Sequence, residues 1–595
     1  MDPYRVVIIG IGPKGLYAFE RLLAQMKGLD SGVHIEVHLF EKTGYFGAGE
    51  IYRPDQPEYL IMNYPNRNIN VWPEGHPKPV VETPMDFAEW LGQSSGRVSS
   101  ELADGFSPRH TVGAYLMDCF ESLINGADTS MDIFKYCAEV TDVAAEGKDF
   151  IIKYRSKNNK APNKIKVQQV MVTTGHSSCK GQLENNSRHC DFIDFVYPVM
   201  EKLAGIDIHK SVGVRGLGLT FIDTVLALTE GRGGSFKRIG NGNLIYLPSG
   251  NEPKNIYAFS RSGLPMIPRR GEEGSKPFKP RYFTLSNLEK VMGDTKKINF
   301  FEDVLPLFIA ETEYRYYSLL FENYGLTFYP EKNLKKLKEQ IAIFHVQYPG
   351  VYRFNFGDLF KAKNMDPDMS ALGALAYMRY IFNQSKKGSE SSAFMAAAMT
   401  WGRLSETFNE IYSFGGMSAD SHWLFDKKLR SKLNRISYGP PVENFEKLIA
   451  LVETGLVNLD YSENPETKKL DTGWQLFNSG HDYVKLDVLV DSRIPTNASI
   501  ENWSNLFKKM QKNGLIREYV INDTSTYRPG CPEIDLYGKA VDRNGVVLTN
   551  LAFYGTRTEG IVYDNDSLSR TRNNFASHWA SGVASHISKR SLTNS

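Results

Sequence analysis

The chain has 595 residues, with 70 Lys and Arg against 68 Asp and Glu, 41% hydrophobic and 23% charged content. It is too long for one core, and its net charge of +2 provides no global field to draw nucleic acid or a membrane surface. No apolar run reaches the length of a bilayer span, and Cys119, Cys137, Cys179, Cys190 and Cys531 form no C-x-x-C pair, which leaves a disulfide framework, a zinc site and a dithiol centre unsupported.

Residues 5–9, Arg-Val-Val-Ile-Ile, are mainly β-branched and predict a buried strand. They run into Gly10-Ile11-Gly12-Pro13-Lys14-Gly15, with helical apolar spacing over 16–26. This is the G-x-G-x-x-G dinucleotide fingerprint in its required context of strand, turn and helix. Gly10 permits the turn, Gly12 lets backbone approach a pyrophosphate, and Gly15 allows close helix packing; the helix N-terminus supplies amides and dipole. A second strand over 35–40 ends in Glu41, a carboxylate suited to ribose hydroxyls. After Lys42, the stretch with Gly44, Gly47 and Gly49 implies backbone lying against something flat or phosphorylated. A flavin ring, held beyond its pyrophosphate, needs such a loop. Seven prolines between 54 and 84 keep this region non-helical; a plain proline-rich surface loop is the competing reading.

Helices are expected over 84–91 and 111–125, with Arg109 just before the second. Arg109 suits a substrate carboxylate, a cofactor phosphate or only a helix start. Strands are expected over 130–155 and 164–174, the latter running into Thr174-Gly175-His176. A second strand–turn–helix unit follows at 211–228 with Gly216, Gly218 and Thr220, although Phe221 replaces the third glycine. The next strand, 255–259, ends in Ser260-Arg261 where an NAD site would carry an acid, which favours the 2′-phosphate of NADPH. Lys237 and Arg238 are read as further phosphate contacts or solvated charges. From 286 to 435 the periodicity is mainly helical, with aromatic residues taken as core, and an extended break falls near 351–356. Helices stop at Gly439-Pro440-Pro441, another runs to about 452, and strands resume over 483–490. A last strand, 551–554, enters a turn with Gly555, Thr556 and Gly560. A closing helix over 573–587 and a frayed tail follow.

Together these stretches resemble the large bacterial FAD/NAD(P)-binding family, within the two-dinucleotide-domain flavoproteins that include the amine N-hydroxylases. The matching residues are Gly10 to Leu16, Phe46-Gly47-x-Gly49, Leu60-x-Met62-Asn63, Pro108-Arg109, Thr174-Gly175-His176, Gly216-x-Gly218-Leu219-Thr220, Ser260-Arg261-x-Gly263, Gly439-Pro440-Pro441 and the turn at 555–560. Gln168 stands where the N-hydroxylase stretch has Asp, no proline closely follows His176, and the Baeyer–Villiger signature is missing.

The resemblance implies an α/β fold of two Rossmann-like domains with a mainly helical insertion. The FAD domain covers 1–210 and 501–595, the NAD(P) domain 211–285 and 439–500, and the insertion 286–438. It also implies FAD at the first turn and NADPH at the second. Asn63 and the loop at 47–49 then lie near the flavin ring, with Thr174 and His176 on its inner edge. His176 is read as catalytic or as structural. The leading expectation is a monooxygenase that acts through a flavin C4a-hydroperoxide and N-oxygenates an amino acid or small amine. The alternatives are a flavoprotein reductase without oxygen insertion and a non-catalytic FAD-binding partner protein. A cytoplasmic enzyme with a small-molecule substrate and molecular oxygen is expected, with no nucleic acid or membrane partner; the sequence says nothing of oligomeric state.

Overall fold

Strand Tyr4–Ile9 forms because Val6, Val7 and Ile8 are completely buried and flanked by parallel neighbours on both sides, the setting in which continuous β-branched runs occur. In a computed structural model, residues 2–29, 32–156, 159–176, 191–240, 242–272, 277–292, 297–328, 333–361, 373–478, 480–494 and 500–594 are described. The spatial order of the six-stranded sheet is Lys539–Val541, Val547–Phe553, Gln169–Val172, Tyr4–Ile9, Ile35–Phe40, Met131–Tyr136; only the first pair is antiparallel. The C-terminal strand thus inserts beside the strand before Thr174. Helix Phe575–Asn594 packs on helix Pro13–Met26, so the chain ends cover one face of the sheet.

A second, five-stranded parallel sheet has the order Val457–Asn458, Asn255–Phe259, Ser211–Arg215, Val488–Asp491, Phe192–Ile193. The chain therefore enters this sheet by Phe192, upstream of 211, where the domain change was expected. A two-residue edge strand carries no readable periodicity. Residues 130–156 also divide more finely than expected: Met131–Tyr136 joins the first sheet, while Ala138–Glu146 and Asp149–Ser156 belong to a separate antiparallel sheet with Asn159–Val167. Another antiparallel sheet joins Glu466–Lys469 and Trp474–Phe477 to Val484–Leu486; its last strand falls in the expected 483–490, while the first two went unread, the first being wholly charged or polar.

Helices from Leu285–Met292 to Arg430–Ser437 form the insertion, and their aromatic residues are largely core. Trp401, Phe408 and Phe425 are fully buried and in mutual ring contact. Tyr324 and Trp423 are exceptions, at 43% and 42% exposed. Phe425–Leu429 is a π-helical turn between Ala419–Leu424 and Arg430–Ser437. The closing helix continues to Asn594 instead of fraying at 588; Arg590 caps the first strand's entry by donating to the Asp2 carbonyl and lying over the Tyr4 ring. Among the described residues, no helix is long and apolar enough to cross a membrane, and no group of His, Cys, Asp and Glu could hold a metal ion. Cys119, Cys137 and Cys531 are free thiols; Cys179 and Cys190 lie outside the described residues.

Candidate active site

The first glycine turn is built by the strand before it and the two strands beside it. Gly10 has φ +96°, where a side chain is strained, and its amide donates to the Phe40 carbonyl at 2.8 Å. A Cβ on Gly15 would lie 2.0 Å from the Gly10 carbonyl oxygen, so the helix can start there only with glycine. Gly12 is the helix N-cap with extended geometry, Pro13 occupies the first turn, and no side chain caps the helix. Its first-turn amides are thus open to an external anion.

Around this turn the structure gathers segments far apart in sequence. The Gly47 amide donates to the Ile11 carbonyl at 2.7 Å, and a Cβ on Gly49 would stand 3.1 Å from the Gly12 Cα. Both glycines have positive φ, so the loop lies flat on the turn. A Cβ on Gly47 would meet the Leu116 carbonyl at 2.4 Å, which seats helix Arg109–Asn125 against the same loop. Glu41 is buried, accepting from the Ile11 amide at 3.1 Å and from the Thr43 amide and hydroxyl at 3.0 and 2.9 Å. Burial raises its pKa, opposed by those hydrogen bonds. A carboxylate offers about four acceptor sites, so room remains for a ribose hydroxyl. Lys42 points outward in an exposed pair with Glu50. Thr173 closes the turn on the Ile9 and Gly10 carbonyls. The Thr174 hydroxyl beside it is buried without a hydrogen-bond partner, Gly175 is exposed, and His176 is half-buried.

Lys14, expected among the cofactor contacts, is engaged by protein groups. Its ammonium donates to the Ser569 carbonyl at 2.7 Å and approaches the Asn565 amide oxygen at 3.4 Å and the Tyr554 hydroxyl at 3.5 Å. Burial pulls its pKa down to about 7, offset by the charges of Asp566 and Glu559. A Cβ on Gly555, itself at φ +90°, would lie 2.9 Å from the Lys14 Cγ. Lys14 therefore ties the first turn to the C-terminal turn, a contact across 541 residues that sequence spacing cannot register. Thr556 opens the short helix Thr556–Thr558, and Gly560 at φ +107° abuts Pro529 and Cys531.

Sequence reading missed Glu559 in this turn. It pairs with Arg430 of the helical insertion at 2.5 Å and accepts from the Asn565 amide. Burial, with Asp566, pushes its pKa up to about 7 against the pull of Arg430. Arg430 also approaches Asp426, whose carboxylate accepts from Tyr412 at 3.0 Å and Tyr527 at 2.9 Å. The π turn aims Asp426 and Arg430 at this seam.

Met62 and Asn63 are held by other segments. The Met62 amide donates to the Ser107 carbonyl, and the Asn63 amide group donates to the Tyr438 carbonyl at 3.0 Å. Arg269 donates to the Asn63 carbonyl. Arg109 opens helix Arg109–Asn125 instead of preceding it. It faces a protein carboxylate rather than a phosphate: Asp223 accepts from it at 2.8 Å and from Tyr197 at 2.5 Å, with the guanidinium over the Tyr197 ring. Burial raises the Asp223 pKa, opposed by Arg109 and Tyr197. Arg109 and Asp223 border a cavity of about 10 Å³ with Asn63 and Asn444, large enough for roughly one water.

The second turn repeats the geometry of the first. Gly216 has φ +107° and donates to the Phe259 carbonyl at 2.8 Å; extended Gly218 N-caps helix Leu219–Leu228 without a side-chain cap, and Thr220 is buried in its first turn. Phe221, in place of a third glycine, is buried in the core. At the end of the neighbouring strand the Ser260 hydroxyl is buried without a hydrogen-bond partner and Arg261 is exposed. Arg238 pairs bidentately with Glu446 at the surface, which accounts for its charge without a ligand.

Comparison with known proteins places this arrangement. The family described as FAD-NAD(P)-binding matches residues 7–177. Nitrosuccinic acid synthase npaA of Aspergillus oryzae is 25% identical over 93% of this chain and 88% of its own length. The nitrosuccinate-forming L-aspartate N-monooxygenase of Streptomyces davaonensis is 24% identical over 89% and 88%. Among solved structures, reduced ornithine hydroxylase of Pseudomonas aeruginosa covers 98% of this chain and 100% of its own, with a TM-score of 0.48 and 10% identity. Residues 7–177 thus match an FAD-NAD(P)-binding domain, and the two uncapped glycine turns on two parallel sheets fit an oxidoreductase that uses FAD and a nicotinamide nucleotide.

Proposed function

We propose that the protein is a flavin monooxygenase that N-oxygenates an α-amino dicarboxylate, with L-aspartate the first substrate to test. The similarity along nearly the whole chain to two enzymes named for aspartate N-oxygenation or nitrosuccinate formation carries this reading. The first step balances as amine, O₂, NADPH and a proton giving hydroxylamine, water and NADP⁺.

Gly10, Gly12 and Gly15 would hold the FAD pyrophosphate at the uncapped helix, Glu41 the ribose, and the loop at 47–49 with Thr174 and the turn at 555–560 the flavin half. The unpartnered Thr174 hydroxyl and the close glycine contacts favour this fit. Gly216, Gly218 and Arg261 would hold NADPH, with the Ser260 hydroxyl unpartnered at the same edge. FAD supplies hydride acceptance and oxygen delivery when bound. The protein's own task is to orient the amine, exclude water and offset the substrate's charge. Asn63 and the insertion would form the substrate chamber. Arg269 and Arg572 both lie near the half-buried Tyr64, Arg269 donating to the Asn63 carbonyl and Arg572 paired with Asp564. Asn63 is held by Tyr438 and so is pre-oriented; His176 stands at the inner edge of the flavin half. A cytoplasmic setting, where NADPH is supplied and thiols stay reduced, belongs to the same proposal.

The test is anaerobic reduction of the yellow protein by NADPH, then mixing with oxygenated buffer containing ¹⁵N-aspartate. The expected result is ¹⁵N-labelled N-oxygenated product in step with NADPH consumption. Rapid oxidation that yields only hydrogen peroxide with aspartate, glutamate and simple amines would overturn the reading.

A further inference from the structure

The carboxyl edge of the second sheet holds a cation that the expected nucleotide contacts do not include. Arg215 ends the central strand, and its register partners are Phe259 on one side and Asp491 on the other. Beyond Phe259 lie Ser260 and Arg261; beyond Asp491 lie Ser492 and Arg493. The second pair folds over the glycine turn. Ser492 donates its hydroxyl to the carbonyls of Arg215 and Gly216, at 2.9 and 3.1 Å. A Cβ on Gly216 would stand 3.0 Å from both the Arg493 Cγ and the Ser492 hydroxyl. The stem of Arg493 thus crosses the turn whose open amides face an anion.

The guanidinium of Arg493 is held to one side by Asp491, through Nε at 2.8 Å and Nη2 at 2.6 Å. Side-chain exposure is 60% for Arg493 and 13% for Asp491, so the arginine is the partner able to swing. Arg215 is occupied differently, donating to Thr467 at 2.8 Å. A pyrophosphate accepts the same paired N–H groups that Asp491 now accepts and carries more charge. When Arg493 leaves, the largely buried Asp491 keeps the field of the neighbouring Arg215, so its charge is not left uncompensated.

We propose that Arg493 is a second phosphate contact of the nicotinamide nucleotide, parked on Asp491 and transferred to the pyrophosphate on binding, while Arg261 meets the 2′-phosphate. This rests on the reading that the nucleotide binds at the Gly216 turn. The two arginines flank that turn from opposite neighbouring strands, so their roles are separable by ligand.

The experiment titrates oxidised, FAD-loaded protein with NADP⁺, NAD⁺ and 2′-AMP by isothermal calorimetry, for wild type, R493A, R493K, D491N and R261A. For R493A, NADP⁺ and NAD⁺ each weaken by about tenfold, the scale of one exposed charge-assisted contact, and 2′-AMP is unchanged. R493K recovers part of the loss, and D491N binds the dinucleotides at least as tightly as wild type. R261A weakens NADP⁺ and 2′-AMP and spares NAD⁺. Unchanged dinucleotide affinity in R493A, or an equal loss in D491N, overturns the proposal, the second because it marks the pair as structural. If wild type binds neither dinucleotide, the nucleotide-site reading itself fails and the Arg493 proposal falls with it. Flavin content and circular dichroism of each variant report folding separately.

Discussion

Asp223→Ala tests the join between the two dinucleotide-binding halves. Asp223 sits on helix Leu219–Leu228 of the second half and Arg109 on helix Arg109–Asn125 of the first, and both side chains are largely buried, at 4% and 14% exposure. The carboxylate accepts from Arg109 and from Tyr197. Two hydrogen bonds to a charged group are worth about 3–6 kcal/mol together. Part of that is already spent on desolvating the carboxylate, whose pKa is raised by burial. The substitution also strands a guanidinium in the interior, and breaking a buried pair from one side typically costs about 3–5 kcal/mol. We expect a loss of about 3–4 kcal/mol in urea unfolding of the FAD-loaded protein. Arg109→Met combined with Asp223→Ala removes the stranded charge and should recover at least half of it. A single-variant loss below about 1 kcal/mol, or a double variant no better than the single, would refute the argument that this seam is held by a desolvated ion pair.

Gly113→Ala, in the middle of helix Arg109–Asn125, would set a Cβ 1.6 Å from the Tyr52 carbonyl oxygen. Backbone cannot yield as a flexible side chain does, so the loss should exceed the usual overpacking range of about 1–3 kcal/mol, with flavin content of the purified protein dropping in parallel. The folded-state pKa of Glu559 is raised to about 7, so its contribution to stability is present below the unfolded carboxylate value and is lost as pH rises through about 7. Glu559→Gln should therefore flatten the stability profile between about pH 4.5 and 7, measured by thermal unfolding; a wild-type profile parallel to that of the variant would contradict it. Arg430→Met should release flavin more readily than wild type, detected as free-flavin fluorescence, because the insertion then no longer braces the turn at 555–560. Unaltered retention would show that the turn stands without Arg430.

Local order was legible where chemistry and spacing coincide within one segment. The β-branched run, the positive-φ glycines and the following helix at 10–26 have the same meaning in any tertiary setting, and so do the second turn at 216–228 and the C-terminal turn at 555–560. Glu41 was placed by its position at a strand end. What the chain alone could not specify is which charged residues meet. Arg109 was equally suited to a phosphate, a substrate carboxylate or a helix start; only the packing of two helices 114 residues apart in their contacting residues gave it Asp223. Lys14, beside the glycines, meets Asn565 and Ser569, which the segment after the closing C-terminal strand brings beneath it. The same physics explains the unread elements: Glu466–Lys469 is a strand because its neighbour pairs with it, not because its own residues favour burial. Periodicity and turn chemistry act over a few residues and are written in the sequence. Desolvation, ion pairing and the aim of a side chain depend on what lies across the interface, and that is decided only when distant segments pack together.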